Sequence, residues 1–231
     1  MAKSSSPGFD KGLFRFLEDL ADNNNRDWFQ ANKKRYESDV VEPCLAFIAD
    51  FESRLRKISP FFRAVAKKMG GSLMRIYRDT RFSKDKTPYK TNVGIHFRHE
   101  MGGDVHAPAF YIHIDPNECF LAAGVWHPDG DALRKIRVGI SEDPSKWKRA
   151  RDDKRFQKTF KLEGDVLKNP PRGFDKDHAY VEDLKRKDFI GVQRITQKQV
   201  LAKSFIDDVA NSFAAVKPLV SFICGSLQIP I

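Results

Sequence analysis

Cysteine is scarce. Only Cys44, Cys119 and Cys224 occur in 231 residues. An odd number at wide spacing excludes a disulfide-stapled scaffold and matches no zinc-ligand pattern, so reduced thiols and a cytoplasmic location are expected. Long apolar runs are lacking too. The closest to one, Leu219 to Cys224, stops at Gly225, so neither a membrane span nor a membrane partner is expected. Residues 1–8 are small and polar, without the apolar stretch of a secretory signal. They read as a mobile lead-in to a single domain over 9–231. The sequence has no glycine-rich phosphate cradle, no Gly-x-Ser-x-Gly elbow, and no helix-turn-helix, zinc-finger or RNA-recognition signature. Acidic charge is in deficit: 31 Asp+Glu stand against 41 Lys+Arg, a formal charge of +10. That surplus favours anionic partners without naming one.

Apolar mass is plentiful, with 41% hydrophobic residues and 19 Phe, which excludes whole-chain disorder. Leu13, Phe16, Leu17 and Leu20 recur at helical spacing and predict a first helix over 10–22. Asn23, Asn24 and Asn25 break it and cap a second helical stretch from Arg26 to Ile58, restarted at Pro43. From Gly70 the period becomes alternating. Four strands are predicted, over 73–81, 92–99, 109–115 and 118–126, linked as an antiparallel meander. In the second, Val93, Ile95 and Phe97 share one face, leaving His96 and Arg98 on the other. In the third, Phe110, Ile112 and Ile114 oppose Tyr111, His113 and Asp115. In the first, Arg75, Tyr77 and Asp79 oppose Met74 and Ile76. Such one-sided burial predicts helices on the apolar face only.

Beyond Pro128, Asp131 is the expected cap of a helix carrying Leu133, Ile136 and Ile140. Pro144 opens another, with Trp147 and then Phe156 facing inward. A short helix over 179–187 and a strand over 189–195 follow. Thr196 and Gln199 form a capping box that opens a long terminal helix, which Pro218 should interrupt. Trp28, Trp126 and Trp147 read as core. The fold class is therefore α+β: a central, mainly antiparallel sheet flanked by N- and C-terminal helices.

The densest signal is Arg75-Ile76-Tyr77-Arg78-Asp79-Thr80-Arg81-Phe82-Ser83-Lys84-Asp85-Lys86-Thr87-Pro88-Tyr89-Lys90. Guanidinium forks, ammonium charges and hydroxyls together suit a phosphate or carboxylate. Arg75, Arg78, Arg81, Lys84, Lys86 and Lys90 are the candidate anion-binding residues. The other reading is a structural ion-pair cluster, in which Arg78 takes Asp79, Asp85 or a helix acid as its partner.

This run, with Asn24 to Phe29, Tyr111 to Ile114, Gly124-Val125-Trp126, Pro171 to Phe174, His178 and Leu184-Lys185, resembles a bacterial and fungal family of conserved hypothetical proteins. It is a domain of unknown function, and the likeness runs from about Phe9 to Phe213. The resemblance implies no reaction, cofactor or catalytic residue.

His96, His99, His106 and His113, with Asp115, form a second group. His96 and His99 fall on opposite faces of one strand, so the group matches no metal-site pattern. His96, His113 and Tyr111 are instead the candidate acid/base residues, with His96 and His113 meeting across adjacent strands. Cys119 reads as a buried small side chain rather than a thiolate. Residues 133–161 carry 11 Lys/Arg against 4 Asp/Glu, which is +7. That stretch supports a rival reading, a non-enzymatic nucleic-acid binder. A protein-interaction module is the third. The favoured expectation is a small anionic ligand, a phosphate-bearing metabolite or nucleotide, bound on the open sheet face. Whether the protein is an enzyme, which cofactor it uses and how it assembles are left open.

Overall fold

The computed structural model describes residues 8–102 and 107–231. Most of the expected lead-in, part of the turn after Met101, and His106 lie outside the described residues. Asp10 caps α1 (Lys11–Asp22) by accepting from the Gly12 N–H at 2.6 Å, and α1 buries Leu13, Phe16, Leu17 and Leu20. Asn25 caps the next stretch by accepting from the Trp28 N–H at 2.9 Å. That stretch divides into α2 (Arg26–Ala31), α3 (Lys33–Tyr36), a π turn (Glu37–Val41) and α4 (Glu42–Ile58). Pro43 falls in the first turn of α4, where its missing N–H costs nothing, so the helix restarts there.

One six-stranded sheet follows, in the order β1-β2-β3-β4-β6-β5, with every neighbouring pair antiparallel. Its strands are β1 (Phe62–Arg63), β2 (Val93–His99), β3 (Ala109–Ile114), β4 (Cys119–Val125), β5 (Lys161–Glu163) and β6 (Phe189–Ile195). Between β4 and β5 lie α5 (Gly130–Glu142), α6 (Pro144–Arg151) and α7 (Lys154–Thr159). Then come α8 (Val181–Leu184), α9 (Gln197–Val200) and α10 (Phe205–Leu227). Helix α10 packs against α4, α5, α6, α7 and β4. The apolar face of the sheet is buried through Ile95, Phe97, Phe110, Ile112, Ile114, Leu121 and Phe189. The fold is α+β, and on the other face of the sheet, the open face, His96, Tyr111, His113 and Phe120 are partly exposed while Ala122 and Val192 are buried.

Several expectations are corrected. Residues 73–81 are not a strand. They touch the sheet at one bridge, Leu73 to Ile95, and then pair locally, Tyr77 with Tyr89. Met74, expected on the apolar side, is exposed. The sheet gains β1 and β5 instead, which at two and three residues are too short to show a period. Asp129, not Asp131, caps α5, accepting from the Ala132 N–H at 2.7 Å. The Thr196–Gln199 capping box opens only the short α9, and the long helix restarts at Phe205. Pro218 lies inside α10 without ending it. Burial of Val216, Leu219, Val220 and Ile223 around it offsets the lost hydrogen bond.

The apolar run expected to be short is therefore part of a 23-residue helix, long and apolar enough to cross a membrane. Here about half of that helix is buried, one side packing into the core through Phe213, Val216, Leu219, Val220 and Ile223. Trp126 is 64% exposed and not core, whereas Trp147 is fully buried.

Candidate functional site on the open sheet face

The register of β2, β3, β4 and β6 sets the open face. One row across it runs Gly94, His113, Phe120, Arg194, and the next runs His96, Tyr111, Ala122, Val192. His96 and His113 thus share a face. They do not meet directly, because Tyr111 stands opposite His96 and between the two rings, at centroid distances of 6.2 and 6.1 Å. His113 stacks on Phe120 at 4.5 Å, and the Arg194 guanidinium lies 5.5 Å from the centre of that ring. The result is one continuous line of side chains, Arg194–Phe120–His113–Tyr111–His96.

Two groups converge on His113 Nδ1: the Tyr111 hydroxyl at 3.2 Å and Asn92 Nδ2 at 3.4 Å. The Asn92 amide nitrogen can only donate, so that contact is satisfied when Nδ1 accepts and the proton sits on Nε2. Arg98 Nε donates to His96 Nδ1 at 3.2 Å, with the same consequence. Burial pushes the His96 imidazole down to about 4, and the neighbouring Arg98 adds to the shift. Burial also lowers His113, against the opposing pull of Asp115 and Glu118. Burial raises the Tyr111 phenol to about 12. All three groups are therefore neutral near pH 7, fit to donate and accept hydrogen bonds. His99 belongs to the other face. Its ring is buried and tied by Nε2 to the Pro230 carbonyl at 2.9 Å, which is a structural role.

The Arg75–Lys90 run forms a closed loop beside the start of β2. Its neck is held by Arg78 N–H to Pro88 O at 2.9 Å and Lys90 N–H to Ile76 O at 2.7 Å. Asn24 grips the neck from 65 residues away. Its amide donates to Tyr89 O at 3.0 Å and accepts from Tyr89 N–H at 3.1 Å. The Tyr89 ring stacks on Phe29 at 4.1 Å. The Asn24–Phe29 and Arg75–Lys90 motifs are thus one structural unit.

Inside the loop much of the charge is already used. Arg78 binds Asp85 and Thr87 Oγ1. Asp79 accepts from Arg81 Nε at 3.0 Å and Nη2 at 2.7 Å. Lys86 donates to the Thr80 carbonyl at 2.9 Å. The Arg81 hydrogen bonds hold the Asp79 carboxyl down at about 2, and the Thr87 N–H, then Arg78, do the same for Asp85. Arg78, Arg81 and Lys86 therefore brace the loop. Among the described residues, Arg75, Lys84 and Lys90 enter no ion pair. Arg75 and Lys90 are close enough to repel: burial, then the Arg75 charge, lowers the Lys90 ammonium. Met74, next to Arg75, reaches the open face. A methyl group added at Gly94 would meet Met74 Sδ at 3.0 Å and the Tyr111 hydroxyl at 2.8 Å. Arg75, and Lys90 beside it, thus border the His113–Tyr111 line.

Asn24, Asn92, Phe120 and Arg194 were missed by sequence reasoning. Asn92 could have been suspected from its place one residue before β2. The Asn24–Tyr89 contact leaves no local signal. Cys44, Cys119 and Cys224 are buried free thiols. The basic 133–161 stretch is partly neutralised as well. Lys148 pairs with Asp152 at 2.7 Å, and Arg151 with Asp183 at 2.8 Å, the same carboxylate that accepts from the buried Trp147 indole. A cleft of about 340 Å³ opens at the Arg194 end of the open-face line, at the β3–β4 turn. Its walls include Asp115, Pro116, Glu118, Arg194 and Ile195, but not Arg75, Tyr111 or His113.

Comparison with curated proteins and with solved structures gave no match. A family model described as conserved hypothetical protein, DUF2461, matches residues 12–222, nearly the whole described fold including the loop and the open face. The chain belongs to the DUF2461 family of conserved hypothetical proteins.

Proposed function

We propose that the protein binds a small phosphate- or carboxylate-bearing ligand where the Arg75–Lys90 loop borders the open sheet face. The observation that carries this reading is the Arg75–Lys90 pair. These are two neighbouring cations that enter no ion pair among the described residues; burial, then the Arg75 charge, disfavours the Lys90 ammonium, while Arg75 also acts on the nearby Asp79 carboxylate. An anion seated there would relieve both the repulsion and the burial cost. Neutral Tyr111 and His113, and His96 beyond them, would supply hydrogen bonds that orient the ligand and a route for a proton. Arg78, Arg81 and Lys86 act through the loop they brace rather than on the ligand. Three buried free thiols support a reducing, cytoplasmic setting.

The test is calorimetric titration with inorganic phosphate and with a nucleoside monophosphate, on the full chain and on Arg75→Ala and Lys90→Ala. Saturable binding that both substitutions weaken, at unchanged stability, is expected. Equal binding by all three proteins would overturn the reading. The nucleic-acid alternative rests on the exposed Lys146, Lys154, Arg155 and Lys158. It requires duplex or single-strand binding that collapses steeply as salt rises.

A further inference from the structure

Phe82 is 95% exposed, the most exposed large apolar side chain among the described residues, with the Arg81 guanidinium 5.7 Å from its ring centre. It lies within the closed loop, which the Arg78–Asp85, Arg81–Asp79 and Lys86–Thr80 contacts brace. The loop thus holds an apolar ring in water between two cations, Arg81 and Lys84. The cleft at the β3–β4 turn has the opposite character. It is a shallow cleft of about 340 Å³, in which Pro116 and Ile195 give apolar walls, Asn117 and Thr196 polar ones, and Asp115 and Glu118 carboxylates. Glu118 is already matched by Arg194 at 2.7 Å, whereas Asp115 enters no ion pair among the described residues.

Both features sit at the same end of the sheet. The loop runs through Lys90 and Asn92 into the start of β2, where Val93 pairs with Ile114. The cleft surrounds the link from β3 to β4, where Cys119 pairs with Ile195. A knob and a socket at one end of a molecule are what a two-fold dimer needs, because each copy then gives its knob to the other's socket.

We infer that this end of the sheet is a self-association surface, and that the occupant of the cleft is Phe82 of a second copy of this chain. In that contact Lys84 faces the other copy's Asp115. Two Phe82 side chains bury roughly 300–500 Å² between them, no more than half of the ~1,000 Å² that a specific interface clears, so the dimer is weak and needs the surrounding contacts as well. It forms at high micromolar protein and weakens with salt.

Sedimentation equilibrium on the full chain tests this. The expected result is a monomer–dimer equilibrium whose dissociation constant rises at least about tenfold in Phe82→Ala, the loss of one buried aromatic contact per socket. Asn117→Trp, which fills the mouth of the cleft, should give the same loss. Both positions are exposed, and unchanged circular dichroism confirms that the variants fold. Lys84→Glu should also dissociate the dimer, and adding Asp115→Lys should restore it. A wild-type chain that stays monomeric at high micromolar concentration would overturn the inference. So would a dimer indifferent to Phe82→Ala, or association growing beyond two copies. Phosphate binding is read apart from this with Phe82→Ala and Asn117→Trp, whose positions lie outside the proposed anion site.

Discussion

Replacing Asn24 with alanine isolates the link between the two sequence motifs. The Asn24 side chain makes two hydrogen bonds to the backbone of Tyr89, a residue only 2% exposed. Asn24→Ala removes both partners at once and leaves a backbone N–H and C=O of a buried residue unpaired. Each net hydrogen bond contributes about 1 kcal/mol, and an orphaned buried group costs about 1–3, so the total loss is roughly 2–4 kcal/mol. For a chain of this length that lowers Tm by roughly 4–16 °C.

Asn24→Asp sharpens the test. The carboxylate still accepts from the Tyr89 N–H but meets the Tyr89 carbonyl with a second acceptor. Its folded-state pKa is therefore raised, and the protonated form, which can donate, is the stable one. Stability of Asn24→Asp should then rise on acidification through the carboxylate range, whereas Asn24→Ala shows no such gain. Urea melts at several pH values, with hydrogen exchange at the Tyr89 amide, provide the assay. A loss below about 0.5 kcal/mol in Asn24→Ala, the range of an ordinary surface change, would refute the claim that this bracket holds the loop.

Three further outcomes follow from the geometry. The His96 imidazole is depressed to about 4, so its contribution is complete above the unfolded value of about 6.5 and is lost as pH falls towards 4. His96→Gln should flatten stability across that window, as urea melts at stepped pH would show. A side chain at Gly124, which has φ 129°, would overlap the Phe189 carbonyl oxygen. Gly124→Ala should therefore cost several kcal/mol, on the order of 3 or more, and fail to give a cooperative melt. Tyr111→Phe removes only one half-buried hydroxyl contact to His113 and should change stability by about 1 kcal/mol. Its effect should instead appear as a moved His113 resonance in NMR spectra.

The open face was legible because period-two alternation over residues 93–99 and 109–114 leaves one choice of side once the apolar set is buried. The same alternation misled over 73–81. There Arg75, Tyr77 and Asp79 alternate with Ile76, but the chain pairs with its own residues 88–90 rather than with the sheet. Local side-chain bonds from Asp79 and Asp85 turn the loop, and such bonds carry no period. That is also why the charge density of the run does not distinguish its paired cations from its unpaired ones. Half of its six cations answer to acceptors a few residues away, which only coordinates can separate from Arg75, Lys84 and Lys90. Pro218 misled for a different reason. A proline penalty of about 3 kcal/mol is small beside the apolar burial of α10, and tertiary packing outweighs propensity there. The bracket from Asn24 to Tyr89 spans 65 residues, beyond anything a local pattern can reveal.

The most direct measurement is an NMR titration of the full chain with inorganic phosphate, read at the side chains of Lys90, His113 and His96. The account predicts saturable shifts at Lys90 and His113 that vanish in Arg75→Ala, while resonances of α6 and α7 stay in place. Shifts spread evenly over Lys146, Lys154, Arg155 and Lys158, with Lys90 and His113 unmoved, would contradict it.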